Sequence, residues 1–279
     1  MADWDERRLV MDDGAVLRVR SRAVAGARPL LLLHGGLGQL EEYAPLLPGL
    51  DGCGLHLLDS RGHGGSTFGA EPLTYPRLAA DAEAVIAALG LGEGAPVVIG
   101  HSDGGITGVW MGIRRRVPLG GIIAIGAQAD PPTGAGLALF EGLTEADWRL
   151  RFAAGVAGYE AVNPAPDFGR LFTETVGLWC DARPGNYPGA CTTDVACPAL
   201  ILAGDGDTIV PRSEALALAD RIPGARLGIL PLGGHSLHLE APERVVPFLR
   251  AFIDGLAAQA ASSRPDSASS ISAAVSGTP

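Results

Sequence analysis

Short apolar runs alternate along most of the chain with longer segments in which apolar residues recur at helical spacing. This alternation is typical of βαβ units, in which helices cover both faces of a mostly parallel sheet. The apolar runs predict buried strands over residues 30–34, 55–59, 96–100, 121–125, 199–204 and 226–230. The sequence therefore predicts an α/β fold.

Further elements are predicted at the two ends of this pattern. Residues 7–11 and 16–20 flank an Asp-Asp-Gly turn, which predicts an antiparallel hairpin at the edge of the sheet. Helical spacing of apolar residues predicts helices over 81–91 and 243–257. The hairpin and the helices would complete the layers around the sheet.

One segment, residues 131–190, interrupts the alternation with an aromatic-rich run at helical spacing between two predicted strands. Open α/β sheets bind ligands at the carboxyl ends of their strands, so this insertion predicts a helical lid over that edge. A simple pair of packed helices is the alternative. The lid divides the predicted α/β core into residues 1–130 and 191–260. The small, polar composition of residues 261–279 predicts a disordered tail.

Charge and hydropathy exclude several classes of function. The chain has 279 residues, with 21 Lys and Arg against 31 Asp and Glu, a net charge of −10 and no basic run. We therefore expect no nucleic-acid partner. The apolar runs are shorter than the roughly 18 residues that span a bilayer, so no membrane contact is expected. The N-terminus lacks the features of a secretory signal, which predicts a cytoplasmic location. The Ala-, Gly- and Arg-rich composition suggests a bacterial source.

The cysteines indicate neither a disulfide nor a metal site. Cys53, Cys180, Cys191 and Cys197 are scattered, without a C-x-x-C pair or a histidine at metal-ligand spacing. Reduced thiols are expected in the cytosol, and no metal is predicted. No pattern in the chain addresses the oligomeric state.

A glycine-flanked serine lies between a predicted strand and a predicted helix. Gly100, Ser102 and Gly104 form a G-x-S-x-G pattern after the run 96–99 and before the helical stretch 106–114. In a nucleophile elbow the serine occupies a strained turn, and side chains at the glycine positions would clash where strand and helix crowd together. The context predicts that Ser102 is a nucleophile at the edge of the sheet.

Five motifs occur in the order of the α/β-hydrolase superfamily: His34-Gly35-Gly36, Asp59 to Ser66, Gly100 to Gly105, Gly204 to Asp207, and Gly233-Gly234-His235. On these motifs the chain resembles that family from about residue 7 to residue 258. The His-Ser-Asp-Gly-Gly elbow is similar to that of small capped esterase-like members, including the biphenyl-hydrolase-like group. The resemblance implies an enzyme with catalytic residues in the order serine, acid, histidine, and no cofactor.

The resemblance also implies which histidine is the catalytic base. A serine hydroxyl is a weak nucleophile until a base takes its proton, and an acid must orient that base. His235 occupies the family's catalytic position, in a glycine-flanked loop after the strand 226–230. His238 is interpreted as a capping or surface residue.

The loop after the strand 199–204 offers two candidates for the acid. The family pattern has a glycine, two variable residues, an aspartate and then a proline four residues later, and Gly204, Asp207 and Pro211 match it. Asp207 is therefore the predicted acid. Asp205 is interpreted as a loop residue that bonds nearby backbone, and Asp130 is the weaker alternative.

The oxyanion of an acyl-transfer reaction must meet preorganised N–H donors. One predicted donor is the backbone N–H of Asp103, directly after the nucleophile. The resemblance places the other in the turn at His34 to Leu37, with Gly36 preferred and Leu37 second. For the Asp103 carboxylate two interpretations stay open: a structural brace, or a partner for a cationic group on the substrate.

The aromatic residues of the lid suggest a substrate pocket for an apolar group. The candidates are Trp148, Phe152, Phe172 and Trp179, and ordinary helix packing is the alternative for most of them. The sequence predicts a serine hydrolase that cleaves a small-molecule carboxylic ester or lactone through an acyl-enzyme. Carbon–carbon bond, thioester or amide hydrolysis and acyl transfer are the alternatives, and a non-catalytic ligand-binding protein is a further one.

Overall fold

The computed structural model describes residues 4–262. Its strands are β1 (Asp5–Val10), β2 (Val16–Arg22), β3 (Pro29–Leu33), β4 (Gly54–Leu58), β5 (Val97–His101), β6 (Gly121–Ile125), β7 (Ala199–Gly204) and β8 (Arg226–Leu230). Its α-helices are α1 (Tyr75–Ala88), α2 (Asp103–Arg114), α3 (Gly134–Glu141), α4 (Glu145–Arg151), α5 (Ala153–Val162), α6 (Phe168–Cys180), α7 (Arg212–Arg221), α8 (Leu237–Glu240) and α9 (Pro242–Ser262). Short 3₁₀ helices lie at Leu40–Tyr43, Leu47–Leu50, Gly92–Gly94 and Gly189–Asp194.

The strands form one eight-stranded sheet in the order β1-β2-β4-β3-β5-β6-β7-β8. Strand β2 pairs antiparallel with both β1 and β4, and all other neighbours pair in parallel. Each predicted strand is found within two residues of its predicted bounds. The α/β prediction and the hairpin at the sheet edge are therefore confirmed.

Helix α1 begins earlier and ends earlier than the predicted 81–91. The Thr74 side chain accepts a hydrogen bond from the backbone N–H of Arg77 (3.3 Å), and Pro76 lies in the first turn, so both favour a start at Tyr75. Gly90 then adopts a φ of +67°, which a helix does not accommodate. Local capping thus moves the helix toward the N-terminus.

The central strands β3 to β7 are buried on both faces of the sheet, which explains why they are continuously apolar. Leu30 and Leu32 of β3 lie in a cluster with residues of α9, whereas Leu31 and Leu33 point to the other face and pack with residues of α1. The alternation follows from the two-residue period of a strand. The carboxyl ends of β3 to β8 consequently meet at one edge of the sheet.

The helices α3 to α6 contact the loops that follow three of these strands. Leu37, after β3, packs against the aromatic cluster of α5 and α6. Asn163, directly after α5, donates hydrogen bonds to the carbonyls of Gly64 (2.8 Å) and Ser66 (2.9 Å), after β4. Trp179 of α6 reaches Asp103, after β5. The insertion therefore covers the carboxyl edge of the sheet.

The C-terminal prediction falls mostly outside the described residues. Residues 261–262 are the last residues of α9, so the helix extends into the predicted tail, and 263–279 lie outside the described part of the chain. Among residues 4–262 no helix is long and apolar enough to span a bilayer.

Candidate active site

Ser102 lies in a strained turn between β5 and α2. Its φ of 49° and ψ of −114° are outside the regions that residues with a side chain ordinarily adopt. The Ser102 N–H donates to the carbonyl of Ile125 (2.8 Å), which ties the turn to β6. A Cβ at Gly100 would clash with the carbonyl of Gly104, and a Cβ at Gly104 would clash with that of Leu33. Glycine at both positions is what lets strand, turn and helix pack this closely.

Asp207 and His235 are hydrogen-bonded across the loops after β7 and β8. His235 Nδ1 lies 2.8 Å from Asp207 Oδ2, while Asp207 Oδ1 accepts from the N–H groups of Ile209 (2.8 Å) and Val210 (2.9 Å). The Asp207 side chain is fully buried and that of His235 is 18% exposed. Since Nδ1–H donates to the carboxylate, Nε2 of a neutral His235 carries the lone pair.

The other acids considered from the sequence are engaged elsewhere. Asp205 Oδ1 accepts from the N–H of Leu232 (2.7 Å), and Asp130 pairs with Arg221 (2.6 Å). The structure therefore brings Asp207, and neither alternative, to His235. The Ser102 hydroxyl forms no hydrogen bond within residues 4–262, so this structure does not join it to His235 directly.

Three backbone N–H groups near Ser102 are without a hydrogen-bond acceptor among residues 4–262: those of Gly36, Leu37 and Asp103. The N–H of Asp103 is free because it begins α2, where no preceding turn supplies a carbonyl. Leu37 adopts a left-handed φ of 59°, and a Cβ at Gly36 would come within 2.6 Å of the Trp179 ring. These are the three N–H groups predicted as oxyanion donors, and that role stays a prediction.

The carboxylate of Asp103 is buried and points away from the solvent. It accepts hydrogen bonds from Tyr75 Oη (2.9 Å) and from Trp179 Nε1 (3.0 Å to each oxygen). Burial raises the pKa of Asp103, and the bonds from Trp179 and Tyr75 oppose that rise. Of the two interpretations of this side chain, these contacts favour the structural brace.

The four aromatic residues predicted for the pocket are neighbours, with the ring centre of Trp148 6.2 Å from that of Trp179. Trp179 is buried beside Asp103 and Gly36. Trp148 stacks against Phe152 with ring centres 4.5 Å apart and lies 6.3 Å from Phe172, within the helical insertion. Phe152 is 42% exposed and Phe172 is buried. Only Trp179 of the four forms a hydrogen bond to the elbow.

Sequence reasoning missed a cluster that includes His101, the residue before Ser102. His238, interpreted as a capping or surface residue, is fully buried and lies 3.2 Å from Glu42, and its ring centre is 4.3 Å from that of His101. The surface interpretation is wrong because α8 packs this side chain against Glu42, Tyr43 and His101. Burial, followed by the neighbouring His238, lowers the pKa of His101 to about 4. No local signal links Glu42 to His238, since they belong to different loops.

Comparison with known proteins points to the same family as the sequence motifs. The model of the alpha/beta hydrolase family matches residues 30–248. The human protein named "Serine hydrolase BPHL" is 29% identical over 233 residues, which cover 77% of this chain and 75% of that protein. "Putative carbamate hydrolase RutD" of Caulobacter sp. (strain K31) is 28% identical over 260 residues, covering 84% of this chain and 94% of that protein.

A solved structure of a thermophilic esterase from Thermogutta terrifontis superposes with a TM-score of 0.70 at 21% identity, covering 91% of this chain and 99% of its own. At that identity the likeness concerns the fold. The family match spans most of the chain and confirms the resemblance predicted from the motifs. The chain belongs to the alpha/beta hydrolase family.

Proposed function

We propose that this protein is a serine hydrolase that cleaves a carboxylic ester or lactone of a small molecule through an acyl-enzyme on Ser102. The observation that carries the proposal is the hydrogen bond between His235 Nδ1 and the buried Asp207, at the same sheet edge as the strained Ser102. Three N–H groups without acceptors in the described part of the chain surround that position.

In the first half of the proposed reaction, His235 Nε2 takes the proton of the Ser102 hydroxyl as Oγ attacks the carbonyl carbon. Asp207 holds the imidazole in the required tautomer and stabilises the imidazolium that forms. The N–H of Asp103 and that of Gly36 or Leu37 donate to the oxyanion. His235 then returns the proton to the leaving alcohol.

In the second half, water attacks the acyl-enzyme with His235 as the general base, and Ser102 leaves with the returned proton. Binding of an apolar acyl or alcohol group is assigned to the space between the elbow and the helical insertion. Trp179 is the lid residue assigned nearest the reacting carbonyl, because it contacts both Asp103 and Gly36.

Carbamate hydrolysis is a second candidate, favoured by the near full-length similarity to RutD. A carbamate carbonyl presents the same electrophilic carbon to Ser102 and the same oxygen to the N–H donors. It would need no other catalytic group. The two candidates differ in the acyl group, so one assay with matched substrates separates them.

The test is hydrolysis of p-nitrophenyl acetate, butyrate and N-methylcarbamate, with burst kinetics and labelling by a fluorophosphonate. We expect Ser102→Ala to lose labelling and at least about 10³-fold in kcat. Ser213→Ala, at an exposed serine of α7, is the matched control and should retain both. Wild-type protein that neither hydrolyses nor labels would contradict the proposal. A turnover preference for the carbamate would select the second candidate.

A further inference from the structure

Three side chains from three separate segments of the chain converge around His101, the residue that precedes Ser102. Glu42 lies in the 3₁₀ turn after β3, His101 ends β5, and His238 lies in α8. Glu42 Oε1 is 3.4 Å from His101 Nδ1 and 3.2 Å from His238 Nε2, and the three atoms lie within 4.8 Å of one another. We call these residues the EHH cluster.

His101 is held between two hydrogen-bond acceptors. Its Nε2 lies 3.2 Å from the carbonyl oxygen of His235, which can only accept, so Nε2 carries a proton. In a neutral imidazole Nδ1 then has a lone pair, and that lone pair faces the carboxylate of Glu42. Two acceptors in contact repel each other, so the arrangement calls for a cation between them.

The contacts within the EHH cluster are not aligned as hydrogen bonds. His101 Nδ1 and both nitrogens of His238 have no hydrogen-bond partner among the described residues, although both side chains are more than nine-tenths buried. An unpaired buried polar group of this kind destabilises the folded protein. Native proteins rarely leave such groups unpaired, so the free nitrogens point to a ligand.

Two of the distances within the cluster match the separation between ligands of a metal ion. Ligands at about 2.0–2.1 Å from a tetrahedral Zn²⁺ are separated by roughly 3.3–3.4 Å. The two contacts of Glu42 Oε1, at 3.2 and 3.4 Å, match that separation. Two imidazoles and one carboxylate are also a common ligand set for zinc and related ions.

The surrounding backbone shapes the cluster. The N–H of Gly35 donates to Glu42 Oε1 (3.1 Å) and fixes the carboxylate. A Cβ at Gly35 would come within 2.7 Å of His101 Nδ1, and a Cβ at Gly38 would clash with Glu42 Oε2. Glycine at both positions keeps free the space around the ligand atoms.

We propose that Glu42, His101 and His238 bind one divalent transition-metal ion of the zinc class. The ion would join the loops after β3, β5 and β8, and so brace the segments that carry Ser102 and His235. It would not touch the substrate, because the side chains of His238, His101 and Glu42 are only 0%, 7% and 13% exposed. The proposal is independent of which carbonyl compound is cleaved.

The test uses the full-length protein without a metal-binding tag, expressed with added Zn²⁺ and dialysed against chelator-treated buffer. Elemental analysis should find about one equivalent of zinc per chain. Glu42→Gln and His238→Gln should each retain less than about a tenth of that amount. His56→Gln removes a buried histidine elsewhere and Cys191→Ser removes an exposed thiol, so both should retain the metal.

Wild-type protein expressed with Co²⁺ supplies a second measurement if the variants do not fold. Visible d–d absorption of tetrahedral cobalt without a thiolate charge-transfer band would support nitrogen and oxygen ligands. Wild-type protein that retains neither Zn²⁺ nor Co²⁺ overturns the proposal. Equal retention by Glu42→Gln and wild type, or a thiolate band, overturns it as well.

Discussion

Two buried polar clusters lie near the same edge of the sheet and differ in how much of their hydrogen-bonding capacity is used. Around Arg61, every arm of the guanidinium is bonded: Nε and Nη2 to Asp81 (2.6 and 2.8 Å) and Nη1 to Asp13 (2.7 Å). In the EHH cluster, three buried nitrogens have no partner in the described part of the chain. Both clusters are closed to solvent, so burial alone does not distinguish them.

This difference distinguishes buried polar groups that can bind a ligand from those that only stabilise the fold. A cluster whose donors and acceptors are all satisfied stabilises one conformation and has nothing left to bind. Open groups, such as the Ser102 hydroxyl, the N–H of Asp103 and the nitrogens of His238, remain available for a substrate or an ion. The strained φ of Ser102 marks the same region by another criterion.

The largest expected effect separates Asp207 from its neighbour Asp205. Asp207→Asn should lower kcat by about 10⁴-fold, because His235 would lose the partner that sets its tautomer. Asp205→Asn changes an acid that bonds only the backbone of Leu232, and its kcat should stay near that of wild type. Steady-state kinetics on p-nitrophenyl butyrate, with circular dichroism to check folding, measures both. Equal losses in the two variants would contradict the assignment.

The next largest effect is expected from a substitution that disrupts the fully hydrogen-bonded cluster around Arg61. Arg61→Met removes the shortest ion pairs of the buried carboxylates of Asp81 and Asp13 and leaves them only the longer contacts of Arg77, so the free energy of unfolding should fall by about 3–5 kcal/mol. Urea denaturation measures the loss. Arg183→Met, at an exposed pair with Asp181, is the control and should change little. A stable Arg61→Met variant would show that the network is not what holds this loop.

A pH experiment tests His56, a buried and hydrogen-bonded histidine outside the EHH cluster. His56 is buried and bonded to Ser21 (3.0 Å), and burial, with the charge of Arg7, lowers its pKa to about 4. Above the unfolded pKa of about 6.5 the residue is neutral in both states. Below pH 6.5 the unfolded chain binds a proton at this histidine and the folded chain does not. The free energy of unfolding therefore falls as the pH is lowered from 6.5 to 4.

His56→Gln should remove that loss. From pH 7.5 to pH 5 the stability of the variant relative to wild type should rise by about 2 kcal/mol. Urea midpoints at both pH values measure the relative change, and the value at pH 7.5 corrects for the altered packing. A constant difference between the two proteins would mean that His56 is protonated equally in the folded and unfolded states.

The smallest expected effect on stability concerns the hydrogen bond from Trp179, in the helical insertion, to Asp103, in the elbow. Trp179→Phe removes one donor from the buried Asp103 carboxylate and leaves Tyr75, so stability should fall by about 1–2 kcal/mol. Trp148→Phe is the matched control, since its indole N–H has no partner within residues 4–262. Thermal unfolding compares the pair. A loss in Trp148→Phe as large as that in Trp179→Phe would assign the effect to packing.

The strands and the turn at Ser102 can be predicted from the residues alone. Apolar runs of strand length predict the sheet because its central strands are buried on both faces, and the glycines flanking Ser102 predict the elbow because only glycine fits the crowded turn. Both properties depend on neighbours in the chain. Helix α1 was misplaced by several residues because the cap at Thr74 outweighs the apolar spacing.

Which polar groups come into contact depends on the tertiary structure and could not be predicted from the sequence. The choice between brace and substrate partner for Asp103 depended on Tyr75 and Trp179, which reach it from α1 and α6. Likewise, Glu42 and His238 lie far apart in the chain and meet only because β3, β5 and β8 end at one edge of the sheet. Hydrophobic periodicity records which face of an element is buried, whereas side-chain convergence depends on how whole elements pack.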